Sequence, residues 1–116
     1  MKRQRAEQEG RKGEQRAALW LRAKGWSILA ERVKTPVGEI DLVARRRGLV
    51  AFVEVKWRKE RSALDDAIDA RRLARVAAAA EAVAHDYATQ GEDIRVDVIL
   101  LAPGAFPRHI ANAWQP

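Results

Sequence analysis

GEIDLVARRRGLVAFVEVKWR, Gly38 to Arg58, decides the reading of this chain. Val, Ile, Leu and Phe give both ends of the stretch strand propensity, and Arg45-Arg46-Arg47-Gly48 between them supplies a polar reversal with a glycine. Two antiparallel strands joined by a tight basic turn follow. Side chains alternate along a strand, which places Glu39, Asp41 and Val43 on one face and Ile40 and Leu42 on the other. In the second strand Phe52, Glu54 and Lys56 share a face, and Val53, Val55 and Trp57 point the other way. Two registers suit a short turn, Asp41 opposite Phe52 or Asp41 opposite Glu54, and both bring Asp41, Glu54 and Lys56 together. A slip of a single residue would separate the carboxylates.

An isolated charge inside a sheet is costly, so these groups must be paired or must hold an ion. A carboxylate from each of two adjacent strands is what Mg2+ or Mn2+ requires, because such cations take oxygen ligands and retain water. A lysine one alternation beyond the glutamate can stabilise charge on a phosphate or assist proton transfer. Asp41, Glu54 and Lys56 are therefore the candidate catalytic residues of a metal-dependent phosphodiesterase. The bland alternative is an ion-paired strand face on which Glu54 and Lys56 neutralise each other.

The chain has 116 residues, enough for one domain spanning 1–116, and a formal net charge of +6 that favours an anionic partner such as nucleic acid. The absence of cysteine excludes disulfides, thiolate zinc sites and cysteine nucleophiles. His85 and His109 have no second histidine at ligand spacing, and no Gly-x-Ser-x-Gly or phosphate-binding glycine loop is present. The amino terminus lacks an apolar core of the secretory type, and no apolar run is long enough to span a membrane. The expectation is a cytoplasmic protein without membrane contact.

Around the hairpin, residues 1–10 read as a flexible basic tail, and 13–24 as a helix ended by Gly25. In that helix Glu14 falls in the first turn, where the dipole favours a carboxylate. Trp26 to Val33 reads as a strand with Ile28, Ala30 and Arg32 on one side. A charged connection, Arg58 to Ser62, leads to a helix over about 64–89 that buries Ile68, Val76, Ala80, Val83 and Tyr87. Ile94 to Pro103 is the next strand, with Asp97 as a structural or supporting acid, and 106–114 holds a short edge strand. The order αβββαβ gives an α/β fold with a mixed central sheet and helices on both faces. Arg45, Arg46, Arg47 and Arg58, with Arg71, Arg72 and Arg75 on the second helix, are candidate phosphate contacts.

GEIDLVA followed by LVAFVEVKWR, with GRKGEQRAALWL upstream and RVDVILL downstream, resembles the YraN-like family of small bacterial proteins. That family looks like part of the restriction-endonuclease-like nuclease superfamily and is similar to archaeal Holliday-junction resolvases. The resemblance implies a restriction-endonuclease-like core and an endonuclease that cuts nucleic acid, DNA before RNA, branched forms included. It implies Asp41 and Glu54 as metal ligands with Mg2+ or Mn2+, Lys56 as catalytic lysine, Glu14 as a further acid near the metal, and Glu39 as an outer group. A homodimer is expected by the same analogy. The family's lysine on the second helix has Arg72 as its nearest counterpart, its asparagine after the first strand is replaced by Glu31-Arg32-Val33-Lys34, and its glycine after the Glu-x-Lys strand is missing. The alternative function is a non-catalytic nucleic-acid-binding or adaptor module on the same fold.

Overall fold

The computed structural model describes residues 2–58 and 69–115, with side chains from Lys12 onward. Its elements run α1 (Lys2–Ala23), β1 (Ser27–Thr35), β2 (Gly38–Arg46), β3 (Leu49–Trp57), α2 (Ala70–Tyr87), β4 (Asp93–Leu101) and β5 (Arg108–Ile110). The strands form one sheet in the order β1-β2-β3-β4-β5, antiparallel except for the parallel pair β3 and β4. This is a mixed α/β fold compatible with a restriction-endonuclease-like core. The connection at 59–62, the helix start near Leu64 and the buried position expected for Ile68 lie outside the described residues.

Each face of the sheet buries its own apolar cluster. Leu42, Ala44, Ala51, Val53, Ile99 and Leu101 pack against Ala17, Ala18 and Leu21 of α1. Val43, Val50, Phe52, Val96, Val98 and Leu100 pack against Leu73, Val76, Ala79 and Ala80 of α2. Burial of this kind is the main favourable term in folding, at roughly 25 cal/mol per Å² of apolar surface. No helix among the described residues is long and apolar enough to cross a membrane.

The local chemistry of the ends accounts for where the elements stop. Trp26 N–H donates to Leu21 O at 3.0 Å and Gly25 N–H to Arg22 O at 3.0 Å, while Gly25 takes φ +92°. That pattern is a Schellman close, with Leu21 and Trp26 in the same buried cluster. At the hairpin Arg47 (φ +48°) and Gly48 (φ +75°) are both left-handed, as a two-residue turn matched to the sheet's twist demands. Asp69 caps α2 by accepting from Arg71 N–H at 2.9 Å.

Three features depart from the sequence expectation. The helical backbone of α1 reaches back to Lys2, through the segment expected to fray, so Glu14 stands mid-helix and owes nothing to a first-turn dipole. A bulge between Ile28 and Ala30 turns Ile28 towards α1 and Ala30 towards α2, where a regular strand would keep them on one side. Arg32 takes φ +53°, and across from it on β2 the alternation also breaks, so that Ile40 joins the α2 cluster and Leu42 the α1 cluster.

A candidate carboxylate site where two strands part

Leu42 pairs with Val53, Val43 with Phe52 and Arg46 with Leu49, so the register places Asp41 opposite Glu54. Of the two registers open from sequence, this is the second. The β2–β3 ladder stops at Leu42 and Val53; beyond it β2 pairs with β1, and β3 with β4. Asp41 bridges the opening with its side chain, Oδ2 accepting from Val55 N–H at 2.7 Å. The strands part there because a carboxylate has replaced the main chain as the acceptor of a ladder N–H.

The parting opens a cleft of about 530 Å3 whose lining includes Asp41, Glu54, Glu39, Arg71, Arg72 and Arg75. Asp41 and Glu54 thus share the α2 side of the sheet, together with Phe52, as alternation along β3 requires. Glu54 is buried (3% exposed), and its Oε1 accepts from Arg72 Nε at 2.5 Å and lies 3.4 Å from Lys56 Nζ. A buried carboxylate needs compensating charge, and α2 supplies it through Arg72 in its first turn. The ion pair of Glu54 with Lys56, the bland alternative from sequence, is therefore present, and its carboxylate lines the cleft.

Three charged neighbours tune Asp41. Burial pushes its carboxyl up to about 6; Val55 N–H opposes this, the negative charges of Glu54 and Glu14 reinforce it, and Arg72 opposes it. Burial likewise lowers the Lys56 ammonium, assisted by Arg72, while Glu54 holds it up.

The remaining expected residues divide by position. Glu14 is near enough for its charge to raise Asp41, but its Oε2 accepts from Arg32 Nε at 2.7 Å. Among the described residues no three His, Cys, Asp or Glu side chains converge as a metal-holding group, so the convergent acids are Asp41 and Glu54. Glu39 is exposed at the cleft wall. Arg71, Arg72 and Arg75 roof the cleft. The turn arginines do not join them: at ~3.4 Å per residue, Arg47 lies roughly 20 Å along β2 from Asp41. Arg45 is also pinned within the fold, Nη2 donating to Tyr87 O at 2.9 Å and Nε lying 2.7 Å from Glu92 Oε2. Arg46 stacks 4.5 Å from the Trp26 ring and donates to Lys24 O at 3.1 Å. Arg58, at the cleft end of β3, donates its Nη1 to Trp57 O at 3.2 Å.

Asp97 is structural. It is fully buried on the α1 side, facing away from Glu54, and accepts from Arg95, His109 and Asn112 N–H. The residue that sequence reasoning missed is Arg32, which holds Glu14 beside the site. Its left-handed backbone angle has no signature in sequence.

Residues 13–101 match the profile of Uncharacterised protein family UPF0102. The chain is 80% identical to a UPF0102 protein of Erythrobacter litoralis over 116 residues, covering all of both chains. It is 57% identical to a UPF0102 protein of Sphingopyxis alaskensis, again over the whole of both. A UPF0102 protein of Rhizorhabdus wittichii is 52% identical over 94% of this chain and 92% of its own length. With a profile match that takes in both cleft carboxylates, Lys56 and α2, and full-length relatives at 80% and 57% identity, the chain belongs to the UPF0102 family, the YraN-like family its hairpin motif resembles.

Proposed function

We propose that this protein is a nuclease that hydrolyses phosphodiester bonds in nucleic acid with the help of Mg2+ or Mn2+, DNA being the favoured substrate. The observation that carries the reading is the placement of Asp41 and Glu54 in register across parted strands, in a cleft roofed by Arg71, Arg72 and Arg75. The donor set fits such a cation: two carboxylates lining one cleft are what Mg2+ takes when it keeps part of its hydration and borrows a phosphate oxygen. When bound, the cation would supply Lewis-acid polarisation of the phosphate and an activated water.

The chain's own groups supply the rest. Asp41 and Glu54 are the ligands, with Glu14 an outer acid whose charge adds to theirs. Lys56, held at Glu54 and lowered by burial, is placed to move a proton or to steady charge on the phosphate. Arg71 and Arg75 grip the backbone, and Arg72, now paired with Glu54, would be free to meet a phosphate if a cation took its place on the carboxylate.

The test is cleavage of circular and branched DNA in Mn2+. Glu54→Gln and Lys56→Met are each expected to lower the rate by at least ~100-fold while leaving the circular dichroism spectrum unchanged. Cleavage that survives either change removes that residue from the reaction. One observation favours a second reading, a non-catalytic binding module: Glu54 is already compensated by Arg72 and Lys56. That reading requires salt-sensitive binding with no metal requirement and no product.

A further inference from the structure

Lys56 and Trp57 are consecutive on β3 and so face opposite sides of the sheet: Lys56 lies beside Glu54, and Trp57 lies with the α1 cluster. On the Trp57 side a groove of about 220 Å3 is lined by Lys12, Gly13, Arg16 and Trp57. Lys12 and Arg16 are exposed and stand one helical turn apart, and the lining carries two positive charges and no negative one. Gly13 between them is buried and adds backbone alone to the groove. The Arg16 guanidinium sits 5.4 Å from the half-buried Trp57 ring, so the indole already presents a π-face to a cation.

We propose that this groove takes an unpaired nucleotide, its base stacking on Trp57 and its flanking phosphates held by Lys12 and Arg16. The proposal rests on the nuclease reading and names its substrate class: nucleic acid with a single-stranded arm beside the cut. A planar aromatic flanked by cations is the sequence-tolerant means of holding single strands, because every base has a π-face and every linkage a negative charge. A base inside a duplex is already stacked and cannot reach the indole. β3 ends at Trp57, three residues beyond Glu54, so the groove and the acidic pair lie at the same end of that strand, on opposite faces of the sheet.

The test is titration of the protein, in EDTA to prevent cleavage, into a fluorescein-labelled short oligothymidylate and into a labelled blunt duplex of equal length, following the anisotropy of the label. The oligothymidylate is expected to bind more tightly than the duplex. Trp57→Ala should weaken that binding ~5- to 150-fold, the range of base–aromatic stacking, while Trp57→Phe, which retains both packing and a π-face, stays close to wild type. Joint replacement Lys12→Gln and Arg16→Gln, on an exposed helix surface that does not threaten the fold, should flatten the salt dependence by ~0.7 per cation. Equal oligothymidylate affinity in wild type and the charge variant, or in wild type and a folded Trp57→Ala, overturns the proposal. So does preference for the blunt duplex, which leaves the nuclease reading standing. Failure to bind any nucleic acid sinks both.

Discussion

Asp97→Ala is expected to lower folding stability by about 3–5 kcal/mol, the cost of removing one partner from a buried charged cluster. Asp97 is 0% exposed, and both its oxygens are saturated: Oδ1 accepts from Arg95 Nε at 2.7 Å and Asn112 N–H at 2.9 Å, Oδ2 from Arg95 Nη2 at 2.9 Å, with His109 Nε2 2.7 Å away. Two of these partners belong to β5 and the turn after it, so the carboxylate ties the edge strand to β4. Its loss strands Arg95 and His109 beside the Trp26 and Trp20 rings. Against a typical total of about 5–15 kcal/mol, the change is large enough to release β5 first and to endanger the whole domain. Denaturant unfolding measures the loss, and amide exchange at 108–112 locates it; a loss below about 1 kcal/mol would show that the cluster is ornamental. Burial by itself would raise the Asp97 carboxyl, but His109, Arg95 and Asn112 N–H together hold it below its ordinary value. A depressed folded pKa stabilises above the unfolded value near 3.8 and is lost as pH falls through the folded one. Acid sensitivity below about pH 4 should therefore diminish in the variant.

Asp41→Asn is expected to act in the opposite direction on stability and to abolish cleavage. The Asp41 carboxyl is raised from 3.8 to about 6, chiefly by burial and then by Glu54 and Glu14, against the Val55 N–H. A raised folded pKa means that the protonated form stabilises, fully below pH 4, and that this contribution disappears as pH rises through 6. At about 1.4 kcal/mol per pKa unit, ionised Asp41 costs the metal-free fold up to about 3 kcal/mol at pH 8. Asparagine carries no charge and can accept from Val55 N–H through its own carbonyl oxygen. The variant should therefore melt several degrees higher than wild type at pH 8 and alongside it at pH 4. Its cleavage rate should fall by at least ~100-fold. Strain of this kind, relieved by substitution at the expense of activity, is what a site shaped for a cation would show. A variant less stable than wild type at pH 8 would contradict the electrostatic account of the cleft.

How far the sequence reached depended on whether a feature was local. The β2–β3 hairpin was legible because apolar alternation and a basic turn ending in glycine constrain register between near neighbours. Asp41 and Glu54 followed from it. Along β3 the alternation held through Trp57. Along β1 and β2 it failed at Arg32 and at the Ile28–Ala30 bulge, since an extra residue or a left-handed one leaves no mark on hydrophobic pattern. The early start of α1 was missed because Gly10 and Gly13 look like breaks, although Glu, Gln, Lys and Arg around them favour helix. Least legible were the long-range pairs. That Arg72 neutralises Glu54, that Arg32 holds Glu14, and that His109 completes the Asp97 cluster depend on how three separate segments dock.

The central claim is that Asp41 and Glu54 form a site for a hard divalent cation. Calorimetric titration of Mn2+ into the wild-type protein and into Asp41→Asn at pH 8 tests it most directly, and requires no choice of substrate. The account predicts one saturable binding event per chain in the wild type and none in the variant. Indistinguishable heats from the two proteins, whether both bind or neither does, would contradict it.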